Sequence, residues 1–101
     1  MNWKQWYVYI MTNQKNGTLY TWVTSDLVKR VRQHKNDIYA WFTSKYWCHS
    51  LVYYEDYYSI NDAIMREKQI KSGNRRNKIQ LIESCNKDRK DLSTDRDMTV
   101  L

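Results

Sequence analysis

The sequence predicts a small α+β domain in which a three-stranded antiparallel sheet is flanked by helices, in the order strand, strand, helix, strand, helix, helix. Three observations predict it. Two runs of aromatic and β-branched residues meet at Asn16-Gly17, a hairpin signal because both residues accept positive φ. The second of these runs passes within two residues into an apolar period of helical spacing. A third β-rich run is then followed by two helical segments divided at Gly73. At 101 residues the chain has room for one domain with a modest core. We expect that domain over residues 1–92 and a frayed tail over 93–101, where the polar chain that begins near Cys85 continues without period.

Taken in order, Trp3 to Met11 is the first strand, rich in aromatic and β-branched residues. Leu19, Thr21 and Val23 alternate with Tyr20, Trp22 and Thr24 in the second. If the loop between them has two residues, or four from Gln14, then Tyr9 and Tyr20 share a sheet face, and in the four-residue case Tyr9 lies opposite Trp22. A loop of three or five residues separates the tyrosines. Ordinary half-buried aromatic packing accounts for such a pair as well as a functional role does.

Thr24-Ser25-Asp26 supplies N-cap side chains for a helix whose stripe is Leu27, Val31 and His34, with Arg30 in the same row. A cation and an imidazole on the inward edge of a helix need a partner or a task. Residues 36–49 are irregular, aromatic and mildly basic, suited either to stacking on bases and touching phosphates or to covering the sheet. Ser50 to Glu55 is the third strand. Ser59-Ile60-Asn61-Asp62 resembles a capping box that opens a helix through about Lys71, with Ile60, Ala63, Ile64, Ile70 and, at its end, Lys71 on the inward face. Glu67 falls on that inward stripe, either as the partner of a base on the first helix or as a ligand for one divalent ion. Gly73 suits a C-terminal cap, and Arg75 to Glu83 forms a short basic helix with Ile79 and Ile82 inward.

Lys and Arg number 17 against 11 acidic residues, for a net charge of +6 on a chain with 15% aromatic content. That balance suits a polyanion, nucleic acid first among them. Lys68, Lys71, Arg75, Arg76 and Lys78 form the densest positive run, read as phosphate contacts or as a solvated face, and Lys29 and Lys45 are further candidates for nucleic-acid contact. Cys48 and Cys85 show no zinc spacing and are expected as reduced thiols. With no apolar run of membrane-spanning length and no signal-peptide core, no membrane partner is expected and cytoplasmic placement is the default.

Tyr7-Val8-Tyr9, then Tyr20-Thr21-Trp22, then Arg30, His34 and a late helical Glu67 resemble the GIY-YIG nuclease superfamily. The stretches YVYIMTN, GTLYT, VTSDLVKRV, FTSKY, LVYYE and AIMREKQIK look like its small single-domain branch, and the resemblance covers about residues 6–92. It implies hydrolysis of DNA phosphodiesters with one Mg2+ or Mn2+ ion; branched or single-stranded DNA is the expected partner and repair or recombination the expected setting. By position it implies that Tyr9, Tyr20, Arg30, His34 and Glu67 are catalytic, with Glu67 holding the ion. Arg30 would stabilise the phosphorane-like transition state, and a tyrosine, Tyr9 foremost, would orient or deprotonate the water, with Tyr20 and His34 positioning it or shuttling the proton. The sequence departs from the pattern at Trp22, where the motif closes with glycine, at Trp41, and at Lys87 and Arg89. A domain of this architecture that binds nucleic acid without cutting it is the second class.

Overall fold

The structure, a computed structural model, describes residues 5–13, 17–35 and 50–94. Strands β1 (Trp6–Thr12), β2 (Leu19–Thr24) and β3 (Ser50–Tyr57) form one sheet in the order β2-β1-β3, with both pairings antiparallel. Helix α1 (Leu27–Lys35) follows β2, and α2 (Ile60–Ser72) and α3 (Arg75–Cys85) follow β3. The expected α+β order holds in every element. The aromatic loop over 36–49, with Lys45 and Trp41, lies outside the described residues, as does most of the expected tail, 95–101.

The central strand is buried on both faces: Val8, Tyr9, Ile10 and Met11 are each fully enclosed. Alternation sends Tyr9 and Met11 one way, onto Leu27 and Val31 of α1 together with Leu51. Val8 and Ile10 go the other way, into a cluster with Tyr53, Ala63 and Ile70 of α2, and Ile82 of α3. The sheet is therefore covered on both faces, and each helix is held by its own apolar stripe. Between Ile10 and Met11 the β1–β3 register shifts, leaving Val52 between the pairs Ile10–Tyr53 and Met11–Leu51 as a bulge.

Local signals set the helix ends. The Asp26 carboxylate accepts from Lys29 N–H (3.1 Å), the Ser59 hydroxyl oxygen from Asn61 N–H (3.2 Å), and the Asn74 side chain from Asn77 N–H (2.8 Å), each satisfying a first-turn donor. Gly73 ends α2 as expected, its N–H donating to the Ile70 carbonyl at 3.2 Å. Its backbone is extended, however (φ −74°, ψ 159°), so left-handed freedom is not what the position uses. A Cβ there would stand 3.4 Å from the Ile70 oxygen and 3.5 Å from Asn77 Cβ, which is ordinary contact, so the position does not depend on the small residue for space either.

Two expectations need correction. Ile60 and Lys71, assigned to the inward face of α2, are both exposed, because they stand at the two ends of the helix, outside the turns that meet the sheet. The polar chain after Cys85 is held by side-chain hydrogen bonds in place of an apolar period. The Asn86 amide, 7% exposed, donates to the carbonyls of Val52 (3.0 Å) and Lys90 (2.8 Å), and its oxygen accepts from Lys90 N–H (3.0 Å). The Asp91 carboxylate accepts from Leu51 N–H at 3.1 Å, and a short 3-10 helix follows at Leu92–Thr94. Side-chain amide and carboxylate groups thus bind this segment to β3 where no hydrophobic period could announce it.

Candidate active site

The hairpin register decides the tyrosine question. Tyr9 pairs with Trp22 and Met11 with Tyr20, the register of the four-residue loop from Gln14, so the two tyrosines share the α1 face of the sheet. Their ring centroids lie 6.3 Å apart at an interplanar angle of 56°, within the range of favourable tilted pairs. Tyr9 is fully buried and Tyr20 half-buried, so the pair runs from the core toward the surface. Trp22 extends the row: its indole stacks on Tyr20 at 6.0 Å and 18°, and the residue is 42% exposed.

Helix α2 brings Glu67 to the end of this row. Its buried residues are Ala63, Glu67 and Ile70, the stripe that the periodicity assigns, with Glu67 9% exposed. The ion pair it makes is with Lys71 of its own helix, Oε1 to Nζ at 3.6 Å, rather than with a base of α1. The same ammonium lies 4.0 Å from the centroid of a Trp22 ring. Carboxylate, ammonium, indole and two phenols therefore form one continuous chain of contacts from α2 across β2 to β1.

Arg30 stands three residues after Leu27 and beside Val31, both packed on Tyr9 and Met11. It is half-buried and lines a polar recess with Thr24, Ser25, Asp26, Lys29 and Gln33 at the start of α1. His34 lies in α1, but its side chain is outside what is described. In the basic run, Lys68, Lys71, Arg75 and Arg76 are exposed, while Lys78 is half-buried in a groove between α2 and α3 with Arg66, Gln69 and Asn77. Among the described residues no helix is long and apolar enough to cross a membrane.

A polar cluster on the opposite sheet face sets how α2 is rotated. Glu55 of β3 accepts from the hydroxyls of Tyr53 and Tyr57 and from Arg66 of α2, whose Nε and Nη2 approach its oxygens at 3.0 Å. Burial works to raise the Glu55 pKa, but the hydrogen bonds from Arg66, Tyr53 and Tyr57 outweigh it and hold the carboxyl below its ordinary value. Burial and the adjoining carboxylate push Tyr57 up to about 12 and Tyr53 further, so both phenols stay protonated donors. With Arg66 tied to β3, the next residue, Glu67, is turned by one helical step into the buried stripe. Our reading of the sequence missed this cluster. Its signal is Tyr-x-Glu-x-Tyr at strand period, which sets phenol, carboxylate and phenol on one face.

A family model for the GIY-YIG catalytic domain matches residues 5–80, a segment that contains both tyrosines, Arg30, His34 and Glu67. The chain belongs to the GIY-YIG family. A UPF0213 protein of Clostridium perfringens is 40% identical to it over 78 residues, covering 77% of this chain and 83% of that protein. A UPF0213 protein of Haloquadratum walsbyi is 38% identical over 77 residues, covering 76% and 85%. The solution NMR structure of a UPF0213 protein from Bacillus halodurans superposes with a TM-score of 0.55 at 27% identity, covering 90% of this chain and 96% of that one. This GIY-YIG domain is thus similar over most of its length to small proteins of one kind, and its family is of nuclease type. Among the described residues it has no group of three or more His, Cys, Asp or Glu that could hold a metal ion. One carboxylate nonetheless suits a hard ion such as Mg2+, which keeps several waters and takes further oxygens from a phosphate.

Proposed function

We propose that this GIY-YIG domain is a divalent-metal-dependent endonuclease that hydrolyses DNA phosphodiester bonds, acting on branched or single-stranded DNA in repair or recombination. The observation that carries the reading is the contact chain Tyr9–Tyr20–Trp22–Lys71–Glu67, which joins two motif tyrosines of one sheet face to a buried carboxylate from another element. Glu67 is the residue that would hold a single Mg2+ or Mn2+. When bound, that ion would polarise a phosphoryl oxygen and neutralise developing negative charge.

The remaining roles fall to the chain's own groups. Arg30 carries a guanidinium that offers paired donors to the equatorial oxygens of a crowded phosphorus. The Tyr9 hydroxyl orients the attacking water or, once it has given up its own proton, takes the proton of that water, and Tyr20 and His34 position the water or pass the proton on. Lys29, Lys45, Lys68, Lys71, Arg75, Arg76 and Lys78 hold phosphates of the bound strand and supply salt-sensitive affinity rather than rate.

A second reading is favoured by one observation. The exposed indole of Trp22 stands on the tyrosine face, where a sugar-phosphate backbone has to approach, and the same surface can stack a base and retain a single strand without cleavage. Supercoiled plasmid and branched or single-stranded oligonucleotides, incubated with and without Mg2+ or Mn2+, separate the two. Metal-dependent nicking is expected, and a salt-sensitive gel shift without products would leave the binding reading. In single-turnover assays at saturating metal, Trp22→Gly should cleave faster, at a cost of about 1 kcal/mol in strand stability. An equal or lower rate would mean that the indole does not obstruct the site.

A further inference from the structure

We propose that Lys71 is a built-in counter-ion that occupies the Glu67 carboxylate until a divalent cation displaces it, and that Trp22 is the brace that keeps it there. This rests on the reading that Glu67 holds the ion, and concerns what controls entry to that site.

A glutamate followed four residues later by lysine is the favourable order for a helical ion pair, but an exposed lysine in such a pair ordinarily samples many positions. Here it is held on two sides. The Lys71 Nζ lies 3.6 Å from Glu67 Oε1 and 4.0 Å from a ring centroid of Trp22. The indole attracts the ammonium through its π face, and Tyr20, stacked on it at 6.0 Å, fixes the indole in turn. The burial is asymmetric: the Glu67 side chain is 12% exposed and that of Lys71 is 40% exposed. The carboxylate is therefore fixed in the site, whereas the ammonium, on its flexible stem at the surface edge, is the member of the pair that can leave.

An ammonium and a divalent cation cannot share one carboxylate without strong repulsion. Entry of the ion must turn Lys71 outward, where it can meet a phosphate oxygen of a bound strand. Two consequences follow. Metal binding by the free protein is weaker than Glu67 alone would give, and a bound polyanion that takes up Lys71 tightens it, with the reciprocal effect of metal on polyanion affinity.

The test is Mn2+ binding to the full chain without nucleic acid, read from the electron paramagnetic resonance signal of the free ion. Lys71→Met, which keeps the apolar stem, should tighten the Mn2+ Kd by about tenfold, the order expected from removing one unit charge beside the ion in a hydrated site. Lys71→Gln should do the same, and Trp22→Leu, which frees the ammonium from its brace, should give a smaller gain. Lys87→Met removes an exposed charge elsewhere and should leave Kd unchanged. An unchanged or weaker Kd in both Lys71 variants, or an equal gain in Lys87→Met, overturns the proposal. If Glu67→Gln abolishes Mn2+ binding while the Lys71 variants bind like the wild type, the counter-ion role alone falls. If Glu67→Gln leaves binding intact, the ion is not at Glu67 and both readings fall.

Discussion

Glu67→Gln is expected to lower the metal-dependent single-turnover cleavage rate by roughly a thousandfold, because a bound ion contributes several kcal/mol of transition-state charge stabilisation and each 1.36 kcal/mol is a decade of rate. DNA affinity should change by less than about threefold, since it comes mainly from phosphate contacts spread over several surface bases, and glutamine at position 67 removes none of them. Stability should also be nearly retained. Glutamine has the shape of glutamate, and the ion pair that is lost has one partner partly in water, so its contribution is at most about 1 kcal/mol. The comparison uses three readouts on one variant: cleavage rate, a binding isotherm and a thermal melt. Parallel losses in all three would make Glu67 a structural ion-pair partner of Lys71 and no more.

The largest expected effect on stability lies at Asn86. The bulge at Val52 disturbs the β1–β3 ladder, and the Asn86 amide satisfies the Val52 carbonyl there while also fixing Lys90 through its N–H and C=O. Asn86→Ala removes three hydrogen bonds and strands a buried acceptor, a cost of about 2–4 kcal/mol. For a domain of this size that corresponds to a fall in Tm of roughly 10–20 °C. Lys87→Ala, one residue along and exposed, should stay within about 0.5 kcal/mol of the wild type. Thermal melts of the two variants check this, and a Tm for Asn86→Ala within 3 °C of the wild type would show that the segment after α3 contributes nothing to the fold.

What could be read in advance follows from which interactions are periodic. The strand and helix stripes announce themselves because burial repeats every two or every 3.6 residues, so Ala63, Glu67 and Ile70 could be placed on one buried face without any structure. The tyrosine pairing was legible only up to parity. A loop of even length puts Tyr9 and Tyr20 together, but nothing local chooses that length, and the register is fixed by the burial of Tyr9 and Met11 against α1. Contacts between polar groups far apart in the chain leave no period at all. Asn86 with Val52, and Asp91 with Leu51, join residues 34 and 40 positions apart through single side chains inside a stretch that reads as solvent-facing. Glu55 was hidden for the opposite reason, being a carboxylate on a strand whose alternation gives no warning that Arg66 will reach it from α2. The cation beside Glu67 stands one turn along its own helix. Periodicity can show that a charge is buried, but not which cation approaches it.

The central claim, that Glu67 at the end of the Tyr9–Tyr20–Trp22 row is where a divalent cation enters, is tested most directly by titrating the 15N-labelled protein with substoichiometric Mn2+ and mapping paramagnetic line broadening onto the backbone amides. The account predicts that broadening centres on Arg66 to Lys71 of α2 and extends to Tyr20 and Trp22 of β2, and that it is lost in Glu67→Gln. Broadening centred instead on Asp26 and Lys29 in the recess at the start of α1, or on the surface around Glu83 and Asp88, would contradict it.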